Sequence, residues 1–378
     1  MRCINRWLSL PFALLLSGCA ASAMQGSFDM EQPVLPEVRL DKQGCPSGQG
    51  ATAIAVGDLN QDGRPDVVVA NGLSDTVTAY LNPAAAGCPT MNTYPTGNSP
   101  SAIAVGELDG DGWGDVVVAT AGDNTVSVHL NKGDGTLGSP APYPVASATA
   151  LALGDLGGAR PDVVALSSAD DAARLLRNQG TGTLTLSPTK YLGGPLLFSL
   201  ILAPLQPKLL SLVLVSAADD SLTILPDSGA GDFASPMRLA LPEAQSPVAA
   251  AAGFLDEDAS QDLVVVSHGN DRVLLLLNQG DGTFVQRSVA VGRHPVAVAI
   301  ADLTRDGKPD LAVVSASDES VQIVVNLGQG RFATDALHAL KTEPLPVAIA
   351  AVDMNGDLAL DLVLAHRSGG QLMILYQR

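Results

Sequence analysis

Positive charge is scarce in this chain. Its 378 residues carry 21 Lys and Arg against 39 Asp and Glu, a net charge of −18. A surface so acidic repels nucleic acid and anionic headgroups, so neither is an expected partner, whereas divalent cations suit it. Cysteine is scarce too, at four residues. Nothing reads as a long helix. The most apolar stretch, 192–215, is broken by Pro195, Pro204, Pro207 and Lys208. In lipid such breaks leave backbone groups unpaired, so the expectation there is buried strand, not a membrane span. G-x-S-x-G and H-E-x-x-H are missing, and the histidines do not recur at a fixed spacing.

The amino-terminal residues read MRCINRWLSLPFALLLSGCAAS. Arg2 and Arg6 make a basic start, and 8–16 is an apolar run too short to cross a bilayer, which is the plan of a signal peptide. Small residues before Cys19 resemble the lipobox of bacterial lipoproteins. That resemblance implies a signal peptide over 1–18, acylation of Cys19 (palmitate among its chains) and a lipidated tether over 19–32. Several acyl chains hold a protein to a membrane stably where one does not. A plain secretory signal cleaved after Ala20 or Ala23 is the alternative. Ala20, not aspartate, follows the cysteine, which implies sorting to the outer membrane of a Gram-negative bacterium. Losing Arg2 and Arg6 takes the net charge from −18 to −20.

The remainder repeats. TAIAVGDLNQDGRPDVVVANGLSDTVTAYLN from 52 recurs as SAIAVGELDGDGWGDVVVATAGDNTVSVHLN from 101, and again from 149, 248, 296 and 347, with an eroded copy around 211–225. The last acid of each copy marks the period: Asp66, Asp115, Asp162, Ser211 in that place, Asp262, Asp310 and Asp361, at steps of 47–51 residues. Each copy divides into four short β segments separated by Gly, Asn and Asp turns. Four strands per unit and seven units predict an all-β, seven-bladed β-propeller over 33–378. The seventh copy stops after its third strand, so a strand from around 34–45 is expected to close the last blade and remove an exposed edge.

The turn between the first and second strands carries acids. Copy one offers Asp58, Asn60, Asp62 and Asp66, with the Arg64 carbonyl at the seventh place. Copy two offers Glu107, Asp109, Asp111 and Asp115. Copy six has Asp302, Thr304, Asp306 and Asp310. Copy seven has Asp353, Asn355, Asp357 and Asp361, with Leu358 where the others place glycine. Hard oxygens at positions one, three, five and nine, with neither His nor Cys, favour Ca²⁺. An EF-hand needs a glutamate at position twelve, where these copies have Val69, Val118, Val313 and Leu364 inside a strand. The plainer reading is that such acids cap their own turns; against it, four acids within nine residues repel one another without a cation. Copy three keeps only Asp155 and Asp162, copy five has Phe254 in place of the first acid, and copy four has lost the set.

The turn after the third strand reads Asn131-x-Gly133-x-Gly135, with counterparts at Asn178, Asn278 and Asn326. No helix follows to gather amides for a phosphate, so this is turn chemistry. DxNxDGxxD paired with NxGDGTF resembles the FG-GAP/VCBS repeat of integrin-α-type propellers. The resemblance implies calcium ions that stiffen blades and a ring that binds a protein or glycan, with catalysis rare.

Register sets Cys45 and Cys88 in different blades and at different heights, so no bridge is expected between them. The face opposite the acid loops collects His268, Asn270, Asp271, Arg272, Arg293, His294, His366 and Arg367, a candidate ligand face or a set of ordinary polar loop residues. An aspartate recurs in the turns there, at Asp75, Asp123, Asp171, Asp220, Asp271 and Asp318. The reading is a lipid-anchored, calcium-stabilised binding or assembly module with an envelope protein or glycan as partner, and no oligomer is expected. An envelope hydrolase or lyase working at the axis is the alternative, and a purely structural surface protein the third.

Overall fold

The computed structural model describes residues 38–378, apart from 82–87, 159, 207–208 and 334–337. The signal segment, Cys19 and the tether lie outside the described residues.

Seven four-stranded antiparallel sheets make the ring. Blade one is Ala51–Gly57, Asp66–Asn71, Thr76–Leu81 and Thr90–Pro95, paired in that order. Blades two to six occupy 100–144, 148–192, 197–240, 247–290 and 295–341. Blade seven takes Pro346–Val352, Asp361–His366 and Gln371–Gln377 from the end of the chain and Leu40–Pro46 from its beginning. Leu40 lies opposite Gln377 and Pro46 opposite Gln371, so the ring closes as the repeat arithmetic requires. Among the described residues the single helical turn is His268–Asn270, and no helix is long and apolar enough to cross a membrane.

Side-chain period explains the core. In blade one, Val67 and Val69 face Val363 and Ile374 of blade seven, while Val68 and Ala70 face Ile103, Val116 and Val118 of blade two. Alternate residues of one strand therefore serve two neighbouring seams. The second strands of blades one and two are buried along their whole length, and valines fully buried in this way contribute about 1.5–3 kcal/mol each. Inner strands are half-buried because they line the axis, and small side chains are needed there. A Cβ placed on Gly57 would sit 2.5 Å from Val105 Cγ1 of the next blade.

Two expectations need correction. Cys45 and Cys88 are bonded, with Cα atoms 5.4 Å apart. Cys45 is buried in the outer strand of blade seven, and Tyr80 of blade one donates its hydroxyl to the Pro46 carbonyl at 2.6 Å, so these neighbouring blades are in direct contact. The 82–89 connection reads NPAAAGCP, without the Asn-x-Gly-x-Gly turn of other copies, so turn register gives no guide to Cys88. The apolar stretch 192–215 is likewise not wholly buried. It forms two strands, Leu197–Gln206 and Leu209–Ser216, and leaves Leu192, Leu196 and Phe198 66%, 55% and 50% exposed.

Candidate functional site

The acid loops join inner and second strands and share one face of the ring. Each is laced by side-chain to backbone bonds two to five residues apart. Asp58 accepts from the Asn60 and Gly63 amides at 3.2 and 3.0 Å, Asn60 Oδ1 from Asp62 N at 3.0 Å, and Asp62 Oδ1 from Arg64 N at 2.9 Å. Asp302 and Asp306 do the same in blade six, and Asp353, Asn355 and Asp357 in blade seven. Such bonds are ordinary Asx-turn chemistry, yet a carboxylate offers about four lone-pair directions, and these uses leave some free. Leu358 keeps the left-handed backbone of its glycine counterparts, φ 68° against 79° at Gly63 and 82° at Gly307.

The last acid of each loop has a separate task. Asp115 is buried, accepting from Leu108 N through Oδ2 and from Asn131 N through Oδ1, both at 2.8 Å. Asp262, Asp310 and Asp361 repeat this with Asn278, Asn326 and Gln377. Burial pushes Asp115 and Asp361 up to about 6, with the loop's other carboxylates adding to the push. Asp109 is raised by burial too, helped by Asp111 and Glu107.

One loop gathers oxygens more closely than the rest. Glu107, Asp109 and Asp115 each bring an oxygen within 4.8 Å of the others, the one such triad of acidic, His or Cys side chains among the described residues. Asp111 is not part of it and instead accepts from Trp113 N at 2.8 Å. Repulsion between the acids is also relieved from within the chain. Arg64 reaches Asp62 at 3.2 Å, Lys308 reaches Asp306 at 2.7 Å, and Arg160 of blade three reaches Glu107 at 2.6 Å. The blade-seven loop has no ion pair of this kind among the described residues.

The asparagine after the third strand does more than turn the chain. Asn131 Nδ2 donates to the Leu59 carbonyl of blade one at 2.8 Å, and its Oδ1 receives the Gly133 and Gly135 amides. Asn178, Asn278 and Asn326 reach Leu108, Leu205 and Leu255 of the preceding blades at 2.9–3.0 Å. Gln377 reaches Leu303 from blade seven. These cross-blade latches were not foreseen; the signal was a constant 16 residues from loop acid to amide.

On the opposite face, the residue before each inner strand is left-handed in all seven blades: Gly50, Ser99, Ser147, Leu196, Ser246, His294 and Leu345. The recurring turn acids hold four of these backbone amides, and an asparagine holds a fifth. Asp75 caps Ser99, Asp171 caps Leu196, Asp220 caps Ser246 and Asp271 caps His294, and in blade two Asn124, one residue past Asp123, caps Ser147.

The expected ligand face is only partly assembled. His268 and His294 stack with ring centroids 4.9 Å apart. His268 Nδ1 lies 3.1 Å from the Pro295 carbonyl, and His294 Nδ1 lies 2.6 Å from Ser317 Oγ. Arg293 pairs with Asp318, Arg272 donates to Ser288, and Asn270 donates to the Glu243 carbonyl. His366 is not on this surface. As the last residue of a second strand it is fully buried, and burial holds it below the ordinary imidazole range. Arg367, next in the chain, is exposed and lines, with His268, a cavity of about 630 Å³ at the axial mouth. Inner-strand starts from blades one, four, five, six and seven form its wall.

Residues 58–118, 107–158 and 255–313 match the FG-GAP-like repeat. No curated protein matches the chain in sequence. Among solved structures it is similar to BBS1N in complex with ARL6DN, at 14% identity and TM-score 0.63 over 91% of this chain and 98% of that one. It is also similar to a catalytically inactive virginiamycin B lyase from Staphylococcus aureus with quinupristin, at 11% identity and TM-score 0.61 over 89% and 99%. A protein from Lactobacillus plantarum matches at 12% identity and TM-score 0.61 over 90% and 92%. At these identities the likeness is one of fold. The chain is a seven-bladed β-propeller carrying FG-GAP-like repeats in three places.

Proposed function

We propose that this ring is a non-catalytic binding or assembly module, stiffened by calcium, held to a bacterial envelope through Cys19, and serving a protein or glycan partner. The observation that carries the reading is the division of labour between the faces. One face is occupied by acid loops and amide latches that tie blade to blade. The other offers crossovers and an axial cavity. Calcium fits the donor set. Glu107, Asp109 and Asp115 would hold an ion in blade two, and Asp58, Asn60, Asp62 and Asp66, with their counterparts in blades six and seven, are the further candidates. When bound, the ion supplies charge neutralisation, and the loop's own amides keep the carboxylates turned inward.

The enzymatic alternative draws on His268 and Arg367 sharing the axial cavity. Against it, among the described residues no carboxylate lines the cavity beside His268 to serve as a second acid–base group.

The test is capture of partners from envelope extracts by the full chain, comparing Arg367→Glu on the cavity face with Lys308→Glu on the loop face. Loss of a specific partner with the first variant alone supports the reading. Turnover of an envelope substrate by the purified chain would replace it with the enzymatic one. Retention of Cys19→Ser in the membrane fraction would sink the anchor.

A further inference from the structure

The chain places large apolar side chains where its own repeat uses small or polar ones. At the left-handed position before the inner strand, four blades use Gly50, Ser99, Ser147 and Ser246, whereas blades four and seven use Leu196 and Leu345. A bulky side chain is costly at positive φ, and it persists where something other than local folding requires it. Neither leucine is recovered by burial: they are 55% and 50% exposed, and neighbouring Phe198 is 50% exposed. All three line the axial cavity, with Val248, Val296 and Val347 deeper along the inner strands.

The polar content of this cavity is as selective as its apolar wall. In a chain with 39 acids, none of the residues lining it is acidic. Its cationic side chain is the exposed Arg367, which has no ion-pair partner among the described residues, a condition it shares with Arg272, Arg287, Arg305 and Arg331 but which it alone of these brings to this cavity. A free guanidinium at the rim of an apolar cavity is a fork for a planar anion. About 630 Å³ is within the range, roughly 300–1,000 Å³, of small-molecule sites.

We propose that the axial cavity binds a small free monocarboxylate with an apolar body, of the medium-chain fatty-acid kind. The carboxylate sits on Arg367, and the chain lies against Leu196, Phe198 and Leu345. This goes beyond the partner-binding reading and shares with it only the choice of face. A ring that captures an envelope partner but ignores the carboxylate leaves that reading standing and removes this one.

The test is calorimetric titration of octanoate, 1-octanol and octylammonium into full-length Cys19→Ser protein purified without detergent. Octanoate is expected to bind saturably and at least about tenfold more tightly than either analogue, the margin expected of one charge-assisted contact. Arg367→Gln should abolish that margin. Leu196→Gly with Leu345→Gly should weaken octanoate by about tenfold or more without lowering the melting temperature, because glycine accepts the left-handed backbone. Absence of saturable octanoate binding to the folded ring would overturn the proposal. Equal binding of octanol, or full affinity in either variant, would do the same.

Discussion

Asn131 of blade two and Leu59 of blade one are joined by a side-chain amide to backbone carbonyl bond of 2.8 Å, across 72 residues of sequence. The same amide donates to Gly114 O, and the Asn131 backbone N–H is held by Asp115. One residue, through its backbone N–H and its side chain, thus ties a loop acid, its own turn and the neighbouring blade into a single unit.

Asn131→Ala should therefore cost more than a turn residue usually does. It strips donors from two carbonyls and removes the acceptor of the Gly133 and Gly135 amides, so a loss of about 1–3 kcal/mol is expected. Urea unfolding measures it. A change below about 0.5 kcal/mol would show that the latch is replaced by water.

Chelation should lower the melting temperature, and added calcium should restore it where magnesium does not, since the loops offer several flexible oxygens and no octahedral cage. Differential scanning calorimetry with and without EDTA decides this. An unchanged transition would leave the internal cations Arg64, Arg160 and Lys308 as sufficient counter-charges.

The calcium increment should shrink on acidification. Asp115 and Asp361 are raised to about 6 in the fold from an ordinary 3.8. A raised carboxylate is protonated more readily when folded, so in chelated protein its ionisation costs stability as pH rises from about 4 to 6, and the full cost stands above 6. Calcium offsets that cost, and protons compete with calcium for the same oxygens. The difference in melting temperature between loaded and chelated protein should be largest near pH 7 and small near pH 5. Buried histidines such as His129 act alike in both samples and cancel in the difference.

Leu358→Gly should stabilise the ring by about 0.5–1 kcal/mol. Leu358 is 93% exposed at φ 68°, so the change removes backbone strain and almost no packing. Thermal unfolding should shift upward.

Removal of the bridge by Cys88→Ser should cost about 2–4 kcal/mol, the usual value for a closed loop of this length. Reducing agent should reproduce the loss in the unmutated protein and leave the variant unaffected.

Much of the ring could be read from the chain because its signals are local and periodic. Asp66, Asp115 and Asp361 mark second-strand starts, and the valines after them are buried as their alternation demands. What escaped was of two kinds. Asn131, Asn278 and Gln377 act on carbonyls more than 70 residues away, and spacing within one repeat carries no record of the neighbouring blade. Leu196 and Leu345 depend on a backbone angle at crossovers of unequal length, so their alignment with Ser99 and Ser246 is visible only in three dimensions. His366 looked like a loop residue beside Arg367, yet it is the last residue of a strand and turns inward.

The strand Leu40–Pro46 also has a mechanical meaning. A pull on the chain ahead of residue 38 enters the ring at the Leu40–Gln377 end and loads one ladder, which would otherwise peel residue by residue toward Pro46. The peeling front meets Cys45 one step before the end, and there the covalent link to Cys88 passes the tension into blade one, whose third strand holds Pro46 through Tyr80. The closing edge of the ring is thus riveted to its neighbour near the far end of the ladder, where complete peeling would open the circle.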